Sequence, residues 1–416
     1  MTKEFFFSLT LCAISLTANA HKKATTTQVP LTLWYNQEAH AFEESLPIGN
    51  GKLGALVYGG ADNDSIYLND ITLWTGQPVN PQEGGDAYKW IPKIREALFK
   101  EDYKTADSLQ HFVQGHNSEL YQPLGLIQIK DFNQGEISNY HRQLSLDSSL
   151  VSISFVRNKV TFKKEYFASH PDKMIAIRLS ASKKGTINSE ISLTSLIPHQ
   201  VKASQKQLTM SGHVLGDEGN SIHYCSILQV KNTDGSISAS DSTLHLTGVT
   251  EAIIYLVNET SYNGFDKHPV KEGAPYLENV TDDIWHLTNF TYKELRQRHL
   301  SDYQKLFGRV KFNLSDAKYD VQNPTDKQLL SYSDEKKHNP YLEMLYFQYG
   351  RYLLISSSRT NGVPANLQGL WAPALKSPWR GNYTININLE ENYWPAESTN
   401  LPELVMPVDG LVKGMA

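Results

Sequence analysis

The chain has 416 residues, 40% of them apolar and 20% charged, and carries a formal net charge of −5. These are the proportions of an ordinary globular protein, long enough for two or three domains with sizeable cores. The weakly acidic balance and the lack of a long Lys/Arg run exclude the electrostatic footprint of nucleic-acid binding.

The first signal in chain order is a secretion leader. Met1–Glu4 is a short polar start containing Lys3, Phe5–Thr17 is an apolar run too short to span a bilayer, and Ala18-Asn19-Ala20 is a small-residue cleavage box. Residues 1–20 are expected to be removed, giving a secreted or periplasmic protein. Leu11 before Cys12 does not fit a lipoprotein box, so release rather than anchoring is expected. No later apolar run is long enough to cross a membrane. Of the two cysteines only Cys225 would survive cleavage, which rules out an intrachain disulfide in the mature chain. Its setting, IHYCSILQV, alternates like a half-buried strand and marks it as core rather than nucleophile. Two cysteines and no close His/Cys cluster also argue against a structural zinc site.

From Thr32 to Trp285 the texture is short β-like runs, as at Leu150–Val156, Val160–Phe167, Ile222–Val230 and Ala252–Val257. Turn residues separate them, including Gly49-Asn50-Gly51, Tyr58-Gly59-Gly60, Asp234-Gly235 and Asn263-Gly264. Many strands without regular intervening helices predict an antiparallel β-sandwich over residues 29–285. The Gly-rich stretch Pro47–Gly60 lacks the Lys-Ser/Thr of a phosphate loop and reads as a tight turn between strands. One helical interruption is predicted, with Ile91, Ile94, Leu98, Tyr103, Ala106 and Leu109 at helical spacing.

The texture changes near Asn289. Leu295, His299, Tyr303, Leu306 and Phe307 mark an amphipathic helix, Val310–Leu314 a short strand, and Ser315–Asn339 a polar linker or surface loop. Residues 286–338 thus form a helical linker region. Asn339 as N-cap and Pro340 at the first position open a second helix, with Leu342, Leu345, Tyr346, Tyr349 and Leu353 as its stripe. Residues 339–416 read as the opening of an α domain whose helices need further partners, and the last residues read as a helix just beginning. The chain is expected to be a fragment of something longer.

The stretch Pro364–Glu397 is the most informative. It sets Trp371, Trp379, Tyr383, Tyr393 and Trp394 among Asn366, Gln368, Asn386, Asn388 and Asn392. Aromatic faces beside amides suit sugars, with their apolar ring faces and rims of hydroxyls. The same composition also fits a helix junction packed as core. In the run ININ, an extended backbone would point Asn386 and Asn388 to one side. An amide is no general base, but its carbonyl oxygen can hold a water that a nearby carboxylate polarises. The competing reading has both amides satisfying backbone groups in a tight turn. Glycoside hydrolysis needs two carboxyl groups, and spacing selects no pair from Glu43, Glu44, Glu390, Glu391, Glu397 and Glu403. No nucleophile elbow, P-loop, H-E-x-x-H or dinucleotide fingerprint is present.

Several long motifs resemble, in order, the N-terminal half of glycoside hydrolase family 95, the inverting α-L-fucosidases. They are Leu33–Gly60, IYLNDITLWTGQP (Ile66–Pro78), YQPLG (Tyr121–Gly125), Glu165–Ala181, HLSDYQKLFGRV (His299–Val310), NLQGLW (Asn366–Trp371) and NINLEENYWPAESTNL (Asn386–Leu401). The resemblance implies an N-terminal β-sandwich, a helical linker and the truncated start of an (α/α)6 barrel. It implies that Asn386 and Asn388 orient the nucleophilic water. The aspartate that polarises them and the glutamate that protonates the leaving oxygen belong to the barrel beyond Ala416. It implies a fucosylated oligosaccharide or polysaccharide as substrate, with Trp371, Trp379 and Tyr383 as candidates for lining the sugar pocket. Neither metal nor organic cofactor is expected, since inverting hydrolysis requires none. Glu391 stands where many members carry Met, which leaves fucose and L-galactose both open as the preferred sugar. Two other readings stand beside this one: a non-catalytic carbohydrate-binding protein that works through its sandwich, and a gene-model fragment. The sequence leaves the oligomeric state unknown. Asn279, Asn289 and Asn382 each head an N-x-S/T glycosylation pattern.

Overall fold

The computed structural model describes residues 29–79, 84–115, 117–314, 316–334 and 338–415. The expected leader, with Cys12, lies outside the described residues. The strands are β1 (Thr32–Tyr35), β2 (Leu46–Gly49), β3 (Leu53–Val57), β4 (Asn63–Asp70), β5 (Gly125–Asp131), β6 (Ile137–Ser145), β7 (Leu150–Arg157) and β8 (Val160–Ser169). They continue with β9 (Met174–Ala181), β10 (Ile187–Thr194), β11 (His199–Ser204), β12 (Gln207–His213), β13 (His223–Asn232), β14 (Ser236–Ser240), β15 (Thr243–Val249) and β16 (Glu251–Thr260). They form two sheets, ordered β1-β6-β7-β8-β9-β16-β13-β12-β11 and β14-β15-β10-β5-β4-β3-β2, with antiparallel pairing throughout the described ladders. The predicted antiparallel sandwich is therefore present.

Alternation explains the packing. On β7, Val151, Ile153 and Phe155 point inward and meet Ile127, Ile129, Ile191 and Leu193 of the other sheet in one apolar core. The central strands β9 and β16 read as apolar runs because they are buried on both faces. Ala176, Tyr255 and Val257 turn outward into a second cluster with Phe167, Cys225, Val280, Ile284 and Leu295. Those last three residues come from helices that cover the outer face, α3 (Tyr276–His286) and α4 (Tyr292–Phe307), in the numbering where α1 is Ile91–Phe99 and α2 Tyr103–Gln110. Helix α3 lies within the span read as β domain.

Helix α4 starts at a reciprocal capping box, with Thr291 and Glu294 each bonding the other's backbone N–H. The single helix expected over residues 91–109 is two, broken at Lys100–Asp102. Glu101 there takes φ 57°, and the Asp102 carboxylate accepts from Thr105 N–H at 3.1 Å to start α2.

Two sequence expectations in the linker fail. Val310–Leu314 is no strand. Its Val310 carbonyl accepts from Gln348 Nε2 (3.2 Å) instead of a ladder partner. Ser315–Asn339 is not all loop, because it contains α5 (Thr325–Asp334). Thr325 Oγ1 accepts from Trp34 N–H at 2.9 Å, so α5 caps a free donor on the edge strand β1.

Helix α6 (Pro340–Ser357) begins as expected, with the Asn339 side chain accepting from Leu342 N–H at 3.1 Å. Helices α7 (Asn388–Ser398) and α8 (Met406–Met415) follow. Arg351 binds this group together. Its guanidinium, 1% exposed, donates to Phe307 O (2.8 Å), Leu306 O (3.2 Å), Thr399 O (3.3 Å) and Gln348 Oε1 (3.0 Å). One side chain thereby holds the C-terminal ends of α4 and α7 against α6, where helix dipoles favour a cation. No helix among the described residues is long and apolar enough to cross a membrane.

Candidate active site

Residues 358–387, between α6 and α7, carry most of the aromatic and amide groups singled out from the sequence. The segment has almost no regular structure, only the short 3₁₀ turn Pro378–Gly381. It lies against the smaller sheet through a third apolar cluster of Leu56, Ile71, Val363, Leu370 and Trp371.

The aromatic residues divide by burial. Trp371 is 7% exposed and donates its indole N–H to Ile48 O at 2.9 Å. Tyr393, on α7, is also buried. Its hydroxyl accepts from Ala365 N–H (2.8 Å) and shares a hydrogen bond with Ser358 Oγ (2.7 Å), and burial pushes the phenol up to about 12. Trp379 and Trp394, by contrast, are 66% and 64% exposed. Trp379 and Arg380 both sit in the left-handed region, at φ 51° and 61°, a conformation that costs a non-glycine residue about 1–3 kcal/mol and turns up at functional sites. Tyr383 is half-buried, and its ring lies 5.2 Å from that of Trp74 at 32°. Burial raises the Tyr383 phenol far above its ordinary range, so it stays neutral and can act as a donor.

The amides divide in the same way. Asn366 is 1% exposed, and its Oδ1 accepts from Gln368 N–H at 2.7 Å. Gln368 Nε2 reaches Pro378 O (3.4 Å), and Asn392 Nδ2 donates to Asn366 O (3.2 Å). These three amides bond main chain, but only Asn366 is buried, and its Nδ2 has no hydrogen-bond partner among the described residues. Asn386 is exposed and Asn388 half-exposed, and among the described residues neither amide has a protein partner.

The backbone around that pair differs from the extended run read from ININ. Residues 385–387 form a turn and Asn388 is the first residue of α7. Thr384 takes φ 43°, its carbonyl accepts from Leu389 N–H at 3.3 Å, and Ile387 O accepts from Glu391 N–H at 2.9 Å. The helical spacing of Leu389, Tyr393 and Ala396 and the acids Glu390 and Glu391 in the first turn outweigh the four-residue alternation. The two amides thus flank a helix N-terminus rather than share one side of a strand.

The carboxylates near this segment are surface groups. Glu390, Glu391 and Glu397 are exposed, and Glu403 makes a forked pair with Arg309 at 2.8 and 2.6 Å. Among the described residues no group of three or more His, Cys, Asp or Glu is placed to hold a metal ion.

The structure adds residues that sequence reasoning did not single out. Trp74, Asn69, Ser118 and Tyr121 come from the sandwich, some 250–300 positions earlier, and meet the segment directly. For Asn69, Trp74 and Tyr121 the one signal was inclusion in the motifs Ile66–Pro78 and Tyr121–Gly125, and Ser118 had none.

Comparison with known proteins places two family matches along the chain. Residues 33–264 match the model described as glycosyl hydrolase family 65, N-terminal domain, and residues 291–416 match the glycosyl hydrolase family 95 catalytic domain. "Alpha-L-fucosidase 2" of Arabidopsis thaliana is 30% identical over 93% of this chain and 49% of its own length. "Probable alpha-fucosidase A" of Aspergillus niger is 31% identical over 96% of this chain and 51% of its own. The protein of the same name from Aspergillus oryzae is 27% identical over 91% and 54%. The chain therefore spans about half the length of the curated relatives it matches.

Proposed function

The chain belongs to glycoside hydrolase family 95, and on that premise we propose that it supplies the sandwich and the water-orienting half of an enzyme that removes terminal α-L-fucosyl residues from glycans with inversion. The observation that carries this is the free state of Asn386 and Asn388. Asn366, Gln368 and Asn392 bond main chain and Asn382 bonds the Ser118 and Thr384 hydroxyls, whereas these two stand at the head of α7 without a protein partner among the described residues.

In the proposed single displacement, the two amide oxygens accept hydrogen bonds from one water and turn a lone pair toward the anomeric carbon. An amide cannot take the water's proton, so a carboxylate behind the pair polarises it and receives that proton as the new C–O bond forms. An acid roughly 6.5–9.5 Å from the base side protonates the leaving oxygen. The family resemblance assigns both carboxyl groups to the portion of the relatives that this chain does not span. Trp379 offers an exposed ring face to the sugar, and Tyr383 a neutral hydroxyl beside it. Trp371 holds the segment in place from within the core. In this reading the helical part is the opening of an (α/α)6 barrel. The protein is exported and works in the periplasm or outside the cell.

A second sugar, L-galactose, is favoured by one observation. Glu391 is exposed one turn along α7 from Asn388, so the two side chains share a helix face. A carboxylate there could accept a hydrogen bond from the C6 hydroxyl that fucose lacks.

The test is hydrolysis of a 2′-fucosylated oligosaccharide by the full-length protein, followed by proton NMR in the first minutes. Inversion releases β-L-fucose first. Asn386→Ala and Asn388→Ala are each expected to lower kcat by about 10²–10⁴. Rates near normal in both would remove the amides from the mechanism, and α-L-fucose as first product would exclude inversion.

A further inference from the structure

An irregular segment of this length must find partners for its backbone N–H and C=O groups outside itself. The partners come from the sandwich. Asn69 holds both polar atoms of one residue, donating from Nδ2 to Ala372 O (3.0 Å) and accepting at Oδ1 from Ala372 N–H (3.1 Å). Tyr121 holds two more points: its hydroxyl donates to Leu370 O (2.7 Å) and its N–H to Arg380 O (3.1 Å). Gln122 Nε2 donates to Leu375 O (3.1 Å). Asn69, Tyr121 and Gln122 are each 0% exposed. Gly381, at φ 64°, passes so close that an added Cβ would lie 3.0 Å from Tyr121 Cβ. Trp74 then lies against both Tyr121 and Tyr383, at ring distances of 5.3 and 5.2 Å.

Most of these contacts are to main-chain atoms. They fix the path of residues 370–383 whatever their side chains are. They also follow the segment to Tyr383, three residues before Asn386. Glue between two domains could use any apolar pair; bonds to successive backbone groups set a course.

We propose that Asn69 and Tyr121 are positioning residues of the site: they hold the backbone that delivers Trp379, Tyr383 and the amide pair, so the sandwich forms part of the active-site scaffold. This deepens the fucosidase reading and rests on it for its catalytic arm. It also gives a role to the two sandwich motifs containing Asn69 and Tyr121.

The experiment uses Asn69→Ala and Tyr121→Phe in the full-length protein. The second removes only a hydroxyl and leaves the ring against Trp74 and Gly381, so it keeps the test alive if the first fails to fold. Hydrogen exchange is followed over residues 366–384, with β13 and β16 as internal reference. Kinetics are measured on a 2′-fucosylated trisaccharide well below the melting temperature. Exchange in the segment is expected to rise about tenfold, the equivalent of one lost hydrogen bond, and kcat to fall about ten- to a hundredfold with KM within about threefold. A raised exchange rate with kcat unchanged would overturn the proposal and reduce both residues to structural glue. Unchanged exchange would overturn it independently of any activity. Failure of the unsubstituted protein to release fucose would instead sink the substrate reading, with the exchange arm still deciding whether the clamp exists.

Discussion

Trp371 donates its indole N–H to the carbonyl of Ile48 at 2.9 Å, which ties the segment after α6 to the β2–β3 hairpin. The hairpin makes room for it with two glycines directly opposite each other, Gly49 and Gly54. An added Cβ on Gly54 would lie 2.7 Å from Leu370 Cγ and 2.9 Å from Trp371 Nε1, and one on Gly49 would lie 2.4 Å from Ser356 O. A strand interior normally avoids glycine; here close approach of another backbone explains it.

Gly54→Ala is therefore expected to destabilise the protein by about 1–3 kcal/mol through overpacking. Urea denaturation measures this. An unchanged midpoint would mean that the hairpin and the segment are less tightly apposed than described.

Arg351 makes the second prediction. Its partners are three main-chain carbonyls and one amide oxygen. Arg351→Ala strips several buried acceptors at once and is expected to cost about 3 kcal/mol or more. Arg351→Lys is expected to recover only part of this, because an ammonium cannot reproduce the planar fork. Equal stability of the Lys variant and the parent would refute the three-helix staple.

The third concerns pH. Burial pushes the His299 imidazole down to about 4, with its Nε2–H donated to Ser148 O at 2.9 Å. The unfolded chain takes up this proton first, near its ordinary pKa of about 6.5, so unfolding binds a proton between the two values. The stability contributed by the neutral ring is complete above pH 6.5 and is lost as pH falls toward 4. The full loss is roughly 3 kcal/mol. His299→Gln keeps a donor without the titration and is expected to flatten the stability profile over that window. A profile that keeps its slope would assign the dependence to other groups.

Cys225 gives the fourth. Burial raises its thiol to about 11, and the residue is 3% exposed. Peptide mapping after iodoacetamide treatment at pH 8 is expected to show Cys225 unmodified in the native protein and fully modified in guanidinium. Rapid native labelling would show that strand β13 opens readily.

Much of the fold was legible because its causes are local. Alternation gave the strands around Val151 and Ile153, and Asn339-Pro340 gave the start of α6. The failures have nonlocal causes. Helix α5 hides in a polar stretch because its anchor, Thr325, finds its partner on Trp34, 291 positions away. ININ reads as extended over four residues, and only the following turns show the helical period.

The site was half legible. Composition pointed to the candidate segment, yet it could not separate exposed Trp379 from buried Trp371, or free Asn386 from bonded Asn366. Trp371 is buried with Leu56 and Ile71, and Asn69, Trp74 and Tyr121 hold the neighbouring stretch, residues that no local pattern connects to the segment.

Asn382 has a practical consequence for whoever makes the protein. Its Nδ2 donates to Ser118 Oγ at 3.3 Å, its Oδ1 accepts from Thr384 Oγ1, and Asn382-Tyr383-Thr384 is a sequon. A yeast or insect-cell secretory route would attach an oligosaccharide to that same nitrogen. The added tree would crowd Ser118 and stand next to Tyr383, so a sluggish preparation from such a host would report on its own decoration. Bacterial expression avoids the confusion.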